Sequence, residues 1–185
     1  MSEPSLPEKI VALHEALAHE RIGHAFGGAL ALAYYAEPRA TVDIDVNVFV
    51  PPSRLDAVVD ALTPLGVTSD VSPAAVERDG QCRLWWGRTP VDVFFAYDDI
   101  HDAMRRSTRN VPFGAGRIPV LGPEHLVVCK AVFDRPKDWI DIEQVAVTVD
   151  ALDVEEIRRR LAGIVGPDDA RARKLEKLLA RLLGG

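Results

Sequence analysis

The stretch TVDIDVNVFV at residues 41–50 alternates side chain by side chain. Val42, Ile44, Val46, Val48 and Val50 fall on one face, and Thr41, Asp43, Asp45, Asn47 and Phe49 on the other. A period of two is that of a β-strand. Aspartate is depleted in strands, yet two of them sit here inside a run of valines. Two residues apart on a strand, their carboxylates emerge on one face about 6–7 Å from each other. They repel unless a cation or hydrogen bonds offset the cost, and a hard divalent ion suits paired carboxylate oxygens. A strand with one wet face also tolerates acids, so the neighbouring sequence has to decide between the two readings.

Upstream, residues 22–26 are short and apolar enough for a strand, which ends at Gly27-Gly28 before the helix-forming run ALALAYYA at 29–36; Pro38 stops that helix. A glycine pair between strand and helix lets a phosphate approach backbone N–H groups, although a tight turn alone also explains it. Further upstream, Ile10, Leu13, Leu17 and Ala18 give residues 7–21 helical periodicity. Downstream, Ser53 caps a predicted helix through Leu62, and residues 81–86 and 91–96 read as a hairpin around the loop 87–90. The second hairpin strand carries Asp92 between Val91 and Val93. Residues 117–121 form another short strand. After Gly122-Pro123 the pattern is helical over about 124–133, 136–149, 153–164 and 168–183. The expected class is α/β (α+β): a mixed sheet with flanking helices at residues 1–121 and a helical C-terminal lobe at 122–185.

Composition bounds the chemistry. The chain has 185 residues, 48% hydrophobic and 27% charged, the size of one domain with a helical appendage. No apolar run approaches the roughly 18 residues of a membrane span, and MSEPSLPEKI lacks the basic and apolar blocks of a signal peptide. Cys82 and Cys129 have neither metal-ligand spacing nor a disulfide framework, so a cytoplasmic location is expected. A net charge of -6 argues against a protein that coats nucleic acid. The charge is uneven: the first hundred residues hold 15 acids against 7 bases. Three acids on two strands, Asp43, Asp45 and Asp92, match the needs of metal-assisted phosphoryl transfer.

The segment HAFGGALALAYYAEPRATVDIDV at residues 24–46 resembles the nucleotidyltransferase superfamily signature, a Gly-Gly or Gly-Ser turn followed by Asp-x-Asp. Its Arg39-Ala-Thr41 lead-in resembles the AbiEii/MenT-like branch, which includes toxins of bacterial toxin–antitoxin pairs. PEHLVVCKAVFDRPKDWIDI at 123–142 is similar to that branch's C-terminal motif, a helix with one lysine followed by Arg-x-Lys-Asp-x-x-Asp. The resemblance spans about residues 22–145. It implies Asp43 and Asp45 as metal ligands, with Asp92 as a third acid that binds metal and aligns or deprotonates the acceptor hydroxyl. Gly27 and Gly28 would approach the nucleotide phosphates, and Lys130 would neutralise triphosphate charge. The branch often carries serine where Gly28 stands, which leaves backbone N–H groups as the donors.

Arg39, Thr41, Lys137, Asp138 and Asp141 complete the expected nucleotide-binding set. Asp138 and Asp141 are three apart on one helix face, where an acid in the first turn also compensates the helix dipole. Lys130 lies among apolar residues, where a lone lysine ordinarily snorkels its charge to water. The five histidines show no partner spacing. Trp85 and Trp86 point to opposite sides of a strand, one toward the core and the other able to stack a base. Arg105, Arg106 and Arg109, and the run Arg158 to Arg160, read as solvated faces or, in an enzyme that modifies RNA, as phosphate contacts.

The resemblance implies transfer of NMP from an NTP to a hydroxyl with Mg2+ (or Mn2+) as cofactor. The favoured acceptor is RNA, the tRNA 3′ end above all, with a cognate antitoxin protein as partner and no membrane. Two alternatives stay open. One is adenylylation of a small molecule or a protein side chain, and the other a degenerate, non-catalytic nucleotide-binding module.

Overall fold

The alternation at residues 41–50 folds as the middle strand of a seven-stranded mixed sheet. In the computed structural model, which describes residues 3–183, the strands are β1 (His24–Phe26), β2 (Ile44–Val48), β3 (Val67–Thr68), β4 (Gln81–Trp86), β5 (Thr89–Phe95), β6 (Arg109–Phe113) and β7 (Gly116–Val120). Residues 1, 2, 184 and 185, at the ends of the two expected segments, lie outside the described residues. The order across the sheet is β3-β4-β5-β2-β1-β7-β6. Strand β2 runs antiparallel to β1 and parallel to β5, while β4–β5 and β6–β7 are antiparallel hairpins.

Strand β2 begins at Ile44 rather than Thr41, so Asp43 sits just ahead of it. The Thr41 hydroxyl donates to the Asp43 carboxylate, a local bond that competes with the ladder, and Val42 is 76% exposed. The helix expected over 29–36 is shorter: α2 (Gly28–Leu32) gives way to turns in which Tyr35 N–H bonds Leu32 O at 2.9 Å. Four elements were not legible in the pattern: β3, α4 (Pro73–Asp79), α5 (Asp99–Arg106) and β6. Helix α4 did carry its punctuation, Pro73 in the first turn and Gly80 in the left-handed conformation at the C-terminus. Strand β6 is an edge strand with a mostly exposed face, so it shows no apolar alternation.

The chain divides into two compact units. The first, Met1–Leu30 with Ala40–Leu121, holds the sheet, α1 (Leu6–His19), α3 (Leu55–Leu62), α4 and α5. Its core joins Leu13 and Leu17 of α1, Phe26, Ile44, Val46, Val48, Val58, Leu84, Val93 and Phe95. Lys9 lies in this interior, 2% exposed, rather than snorkelling outward. Its ammonium donates to Glu3 Oε1 at 2.5 Å, Trp86 O at 3.0 Å and Thr89 Oγ1 at 2.9 Å. These partners tie the start of the chain to the β4–β5 hairpin. The second unit, Ala31–Arg39 with Gly122–Gly185, packs α6 (Pro123–Phe133), α7 (Pro136–Thr148), α8 (Val154–Val165) and α9 (Ala170–Leu183). Leu175 and Leu179 of the last helix are buried here. No described helix is long and apolar enough to cross a membrane.

Two histidines that share no sequence spacing meet in the first unit. His24 Nδ1 lies 2.9 Å from Ile22 O, and His24 Nε2 lies 2.9 Å from His14 Nδ1. A carbonyl only accepts, so Nδ1 of His24 carries the proton and Nε2 accepts from His14. Protonated His24 would present two N–H groups and keep the His14 bond only if His14 moved its own proton to Nε2 and accepted at Nδ1. Burial first, and the His14 charge last, push its pKa down from 6.5 to about 4, against the pull of the Ile22 carbonyl. The unfolded chain therefore binds this proton near pH 6.5, whereas the folded protein resists it until about pH 4. Stability present above pH 6.5 is lost as pH falls toward 4, by at most about 1.4 kcal/mol per pH unit from this group. His101, also lowered chiefly by burial, acts in the same direction. Denaturant melts across that window should slope, and His24→Gln should flatten them; equal slopes in both proteins would remove His24 as the cause.

Candidate active site

Parallel pairing sets Asp45 directly beside Asp92, and the antiparallel hairpin sets Arg83 beside Asp92 on the far side. Paired residues share a sheet face, so Asp45, Asp92 and Arg83 form a row across β2, β5 and β4 about 5 Å per step. Asp43, two residues before Asp45, adds its carboxylate at the head of the same face. Register thus sets Asp45 beside Asp92 in the first unit, and Asp43 joins them from the segment just ahead of β2. Arg83 closes the row: its Nε donates to Asp92 Oδ1 at 2.7 Å and its Nη2 to Oδ2 at 2.8 Å, a bidentate fork. The hydrogen bond to Asp92 raises the Arg83 pKa most, followed by the Asp92 charge, with Asp43 and Asp45 adding to it. Cys82 is no nucleophile here, because burial first and then the Asp92 charge push its thiol up to about 11.

The glycine turn serves this row in an unexpected way. Gly28 has φ +52°, and a Cβ built on it would lie 1.7 Å from Asp45 Oδ2. The missing side chain is therefore the seat of the Asp45 carboxylate. Gly27 packs under Asn47, whose Nδ2 would lie 3.0 Å from an added Cβ, and its N–H donates to Asp45 O at 2.9 Å. The Gly27 N–H, expected to face a phosphate, is thus committed to the backbone of β2. Gly28→Ala should cost about 1–2 kcal/mol for the left-handed backbone, and more because the Asp45 carboxylate must move. We expect a lowered melting point together with loss of activity; an unchanged melt and full activity would show that Asp45 has another seat.

The remaining expected residues lie in the second unit, apart from Thr41. Lys130, 4% exposed, donates to Asp141 Oδ2 at 2.5 Å and approaches Asp138 Oδ1 at 3.8 Å. Arg39 reaches Asp141 Oδ2 at 3.3 Å, and Arg135 clamps the fully buried Asp138 at 2.6 and 3.1 Å. Lys130, Asp138 and Asp141 therefore form one buried ionic cluster with the exposed Arg39 at its edge, and the charge of Lys130 is taken up by the carboxylates. Lys137 is exposed. The run Arg158 to Arg160 is tied to glutamates: Arg158 to Glu176 at 2.8 and 2.9 Å, Arg160 to Glu156 at 2.8 Å, and Arg159 also to Glu156. Of the tryptophan pair, Trp86 is buried and Trp85 is 40% exposed.

Sequence reasoning missed Arg83, and it placed Arg135 in the C-terminal motif without giving it a role. Arg83 pairs with Asp92 because the turn is only Gly87-Arg88, which sets Trp86 against Thr89; the expected loop 87–90 would have set Asp92 against Trp85. Arg135 stands three residues before Asp138, the spacing of a helix-start clamp. Among the described residues, no three His, Cys, Asp or Glu side chains already converge as a metal cage. Asp43 and Asp45 nevertheless fit a hard divalent cation, because both present carboxylate oxygens on one face and phosphate and water oxygens can complete its shell. Asp92 has one lone pair on each oxygen taken by Arg83, which leaves it a weaker ligand than Asp43 or Asp45.

The family model for the nucleotidyl transferase AbiEii toxin of type IV toxin–antitoxin systems matches residues 10–182. Among solved structures, the antibiotic-resistance factor ANT(2'')-Ia superposes with a TM-score of 0.62 at 16% identity, over 95% of this chain and 97% of that one. The lincomycin-bound lincosamide antibiotic adenylyltransferase LnuA gives 0.54 at 14% identity, over 78% of this chain and 98% of that one. An antigenic nucleotidyltransferase-like protein from Paracoccidioides brasiliensis gives 0.51 at 13% identity, over 97% of each chain. At these identities the likeness is one of fold. No curated protein matches the sequence.

Proposed function

The chain belongs to the AbiEii nucleotidyltransferase toxin family, and from that premise we propose that it moves a nucleoside monophosphate from an NTP onto a hydroxyl of RNA, the tRNA 3′ end first among acceptors. The observation that supports this reading is the row of Asp45 and Asp92 on paired strands, with Asp43 at its head and Gly28 bare beneath the Asp45 carboxylate. When bound, Mg2+ or Mn2+ would supply charge neutralisation at the transferred phosphate. Asp43 and Asp45 would hold it, with the Thr41 hydroxyl fixing the rotamer of Asp43. Asp92 would accept the proton of the attacking hydroxyl as the acceptor oxygen bonds to the α-phosphorus and pyrophosphate leaves. The reaction would run in the cytoplasm, where NTPs and tRNA are available, and a cognate antitoxin would restrain it.

A second reading rests on the fold likeness to antibiotic adenylyltransferases, which covers nearly all of those chains. ANT(2'')-Ia has been captured with adenylyl-2''-tobramycin, so a small hydroxylated acceptor is the alternative. Incubation with each α-labelled NTP and Mg2+ or Mn2+, beside total RNA, purified tRNA, protein extract or aminoglycosides and lincosamides, separates the two. Label on the tRNA 3′ end establishes the first reading, and label on an antibiotic or a protein side chain the second. Label in no fraction would leave a nucleotide-binding module.

A further inference from the structure

We infer that Arg83 is a counter-ion displaced by the incoming divalent cation, so that metal entry and the release of Asp92 are one coupled event. This rests on the reading of Asp43 and Asp45 as the cation's ligands. Four charged side chains occupy this stretch of the sheet face: Asp43 just ahead of β2, Asp45 on it, Asp92 on β5 and Arg83 on β4. Without a metal, three neighbouring carboxylates need positive charge, and Arg83 supplies it through both oxygens of Asp92. Its side chain is 51% exposed, against 18% for Asp92, so the guanidinium can leave without vacating a packed interior. An ion pair so exposed holds its partners weakly enough to be exchanged.

A divalent cation at Asp43 and Asp45 brings like charge against the guanidinium and takes over its role toward the carboxylates. Arg83 then has a second resting place, because its guanidinium carbon already lies 6.0 Å from the ring centroid of the exposed Trp85, at the edge of cation–π range. The clamp matters because the fork engages both Asp92 oxygens. An oxygen so engaged keeps a second lone pair, but the guanidinium draws on its negative charge and makes it a weaker proton acceptor and a weaker metal ligand. Arg83 would therefore keep the base engaged in the resting enzyme and free it only when the metal has arrived. Binding linkage makes the effect reciprocal: whatever weakens the clamp must strengthen metal binding.

The test is Mn2+ titration of the whole chain followed by electron paramagnetic resonance, with Mn2+ alone and with non-hydrolysable analogues of the four NTPs. Arg83→Gln should bind Mn2+ about tenfold more tightly than wild type, the order expected from removing one like charge nearby at a half-exposed site. Arg83→Lys, which keeps the charge, should stay near wild type. In an Asp92→Asn background the gain from Arg83→Gln should shrink, since the arginine is then no longer held beside the site by its ion pair. A structural Arg83 would instead leave Mn2+ affinity unchanged or weakened in Arg83→Gln, which would overturn the proposal while the metal site stood. Binding that survives Asp43→Asn with Asp45→Asn, or no binding in any form, would overturn the metal reading itself.

Discussion

Asp45→Asn is expected to lower nucleotidyl transfer by about three orders of magnitude, with the thermal transition within a few degrees of wild type. Asparagine keeps the volume of the side chain seated over Gly28 and leaves the Asp45 carbonyl to accept from Gly27 N–H. It removes the negative charge on which a hard cation depends. Several kcal/mol of charge stabilisation at the transferred phosphate is lost, and each ~1.36 kcal/mol is a factor of ten in rate. Asp43→Asn should behave alike, with a somewhat larger effect on local order because Thr41 also bonds that carboxylate. The measurement is single-turnover transfer from labelled NTP beside a melting curve. Turnover within tenfold of wild type in both variants would remove Asp43 and Asp45 from the chemistry.

Lys130→Met, in contrast, is expected to act on the fold, destabilising the protein by about 3–5 kcal/mol. The substitution fits the apolar surroundings on α6 but strands Asp141 and Asp138, which are buried and depend on this ammonium at 2.5 and 3.8 Å. Arg39 and Arg135 remain, each reaching one of the carboxylates, so the loss should fall at the lower end of that range. For a chain of this length that is a drop of about 10 °C in melting temperature. Adding Asp141→Leu to Lys130→Met should return part of the stability, because a well-packed apolar pair replaces a broken ionic one. A Lys130→Met protein that melts like wild type while its activity collapses would instead place Lys130 on the nucleotide.

These two substitutions separate what the residue pattern could and could not say. The acids of the Asp-x-Asp pair were legible because a strand's period puts alternate residues on one face whatever surrounds it. The glycine turn was legible as a turn, yet its purpose was not: only the packed structure shows Asp45 occupying the space of a Gly28 side chain. Lys130 stood out as a charge on an apolar helix, the pattern of a residue that snorkels outward. Its burial depends on carboxylates contributed by α7, and helix periodicity carries no record of what faces it. Arg158 to Arg160 read as a solvated face or as phosphate contacts; Glu156 on the same helix takes Arg159 and Arg160, and only Glu176, on α9, had to be supplied by packing.

Strand β6 and helix α4 bury too little to impose a period on their residues, whereas α5 buries Ile100, His101, Ala103 and Met104, few of them strongly apolar, so its helical spacing does not stand out among its charges. By itself, then, the sequence determined the alternating strand, its two acids, the glycine turn before it and the helical second half, together with a family signature that names the chemistry. Tertiary structure alone decided that Asp92 stands beside Asp45, that Arg83 clamps it, and that Lys130 answers to Asp141. Local periodicity is written in consecutive residues, whereas charge pairing across strands and helices is fixed by register and packing between segments far apart in the chain.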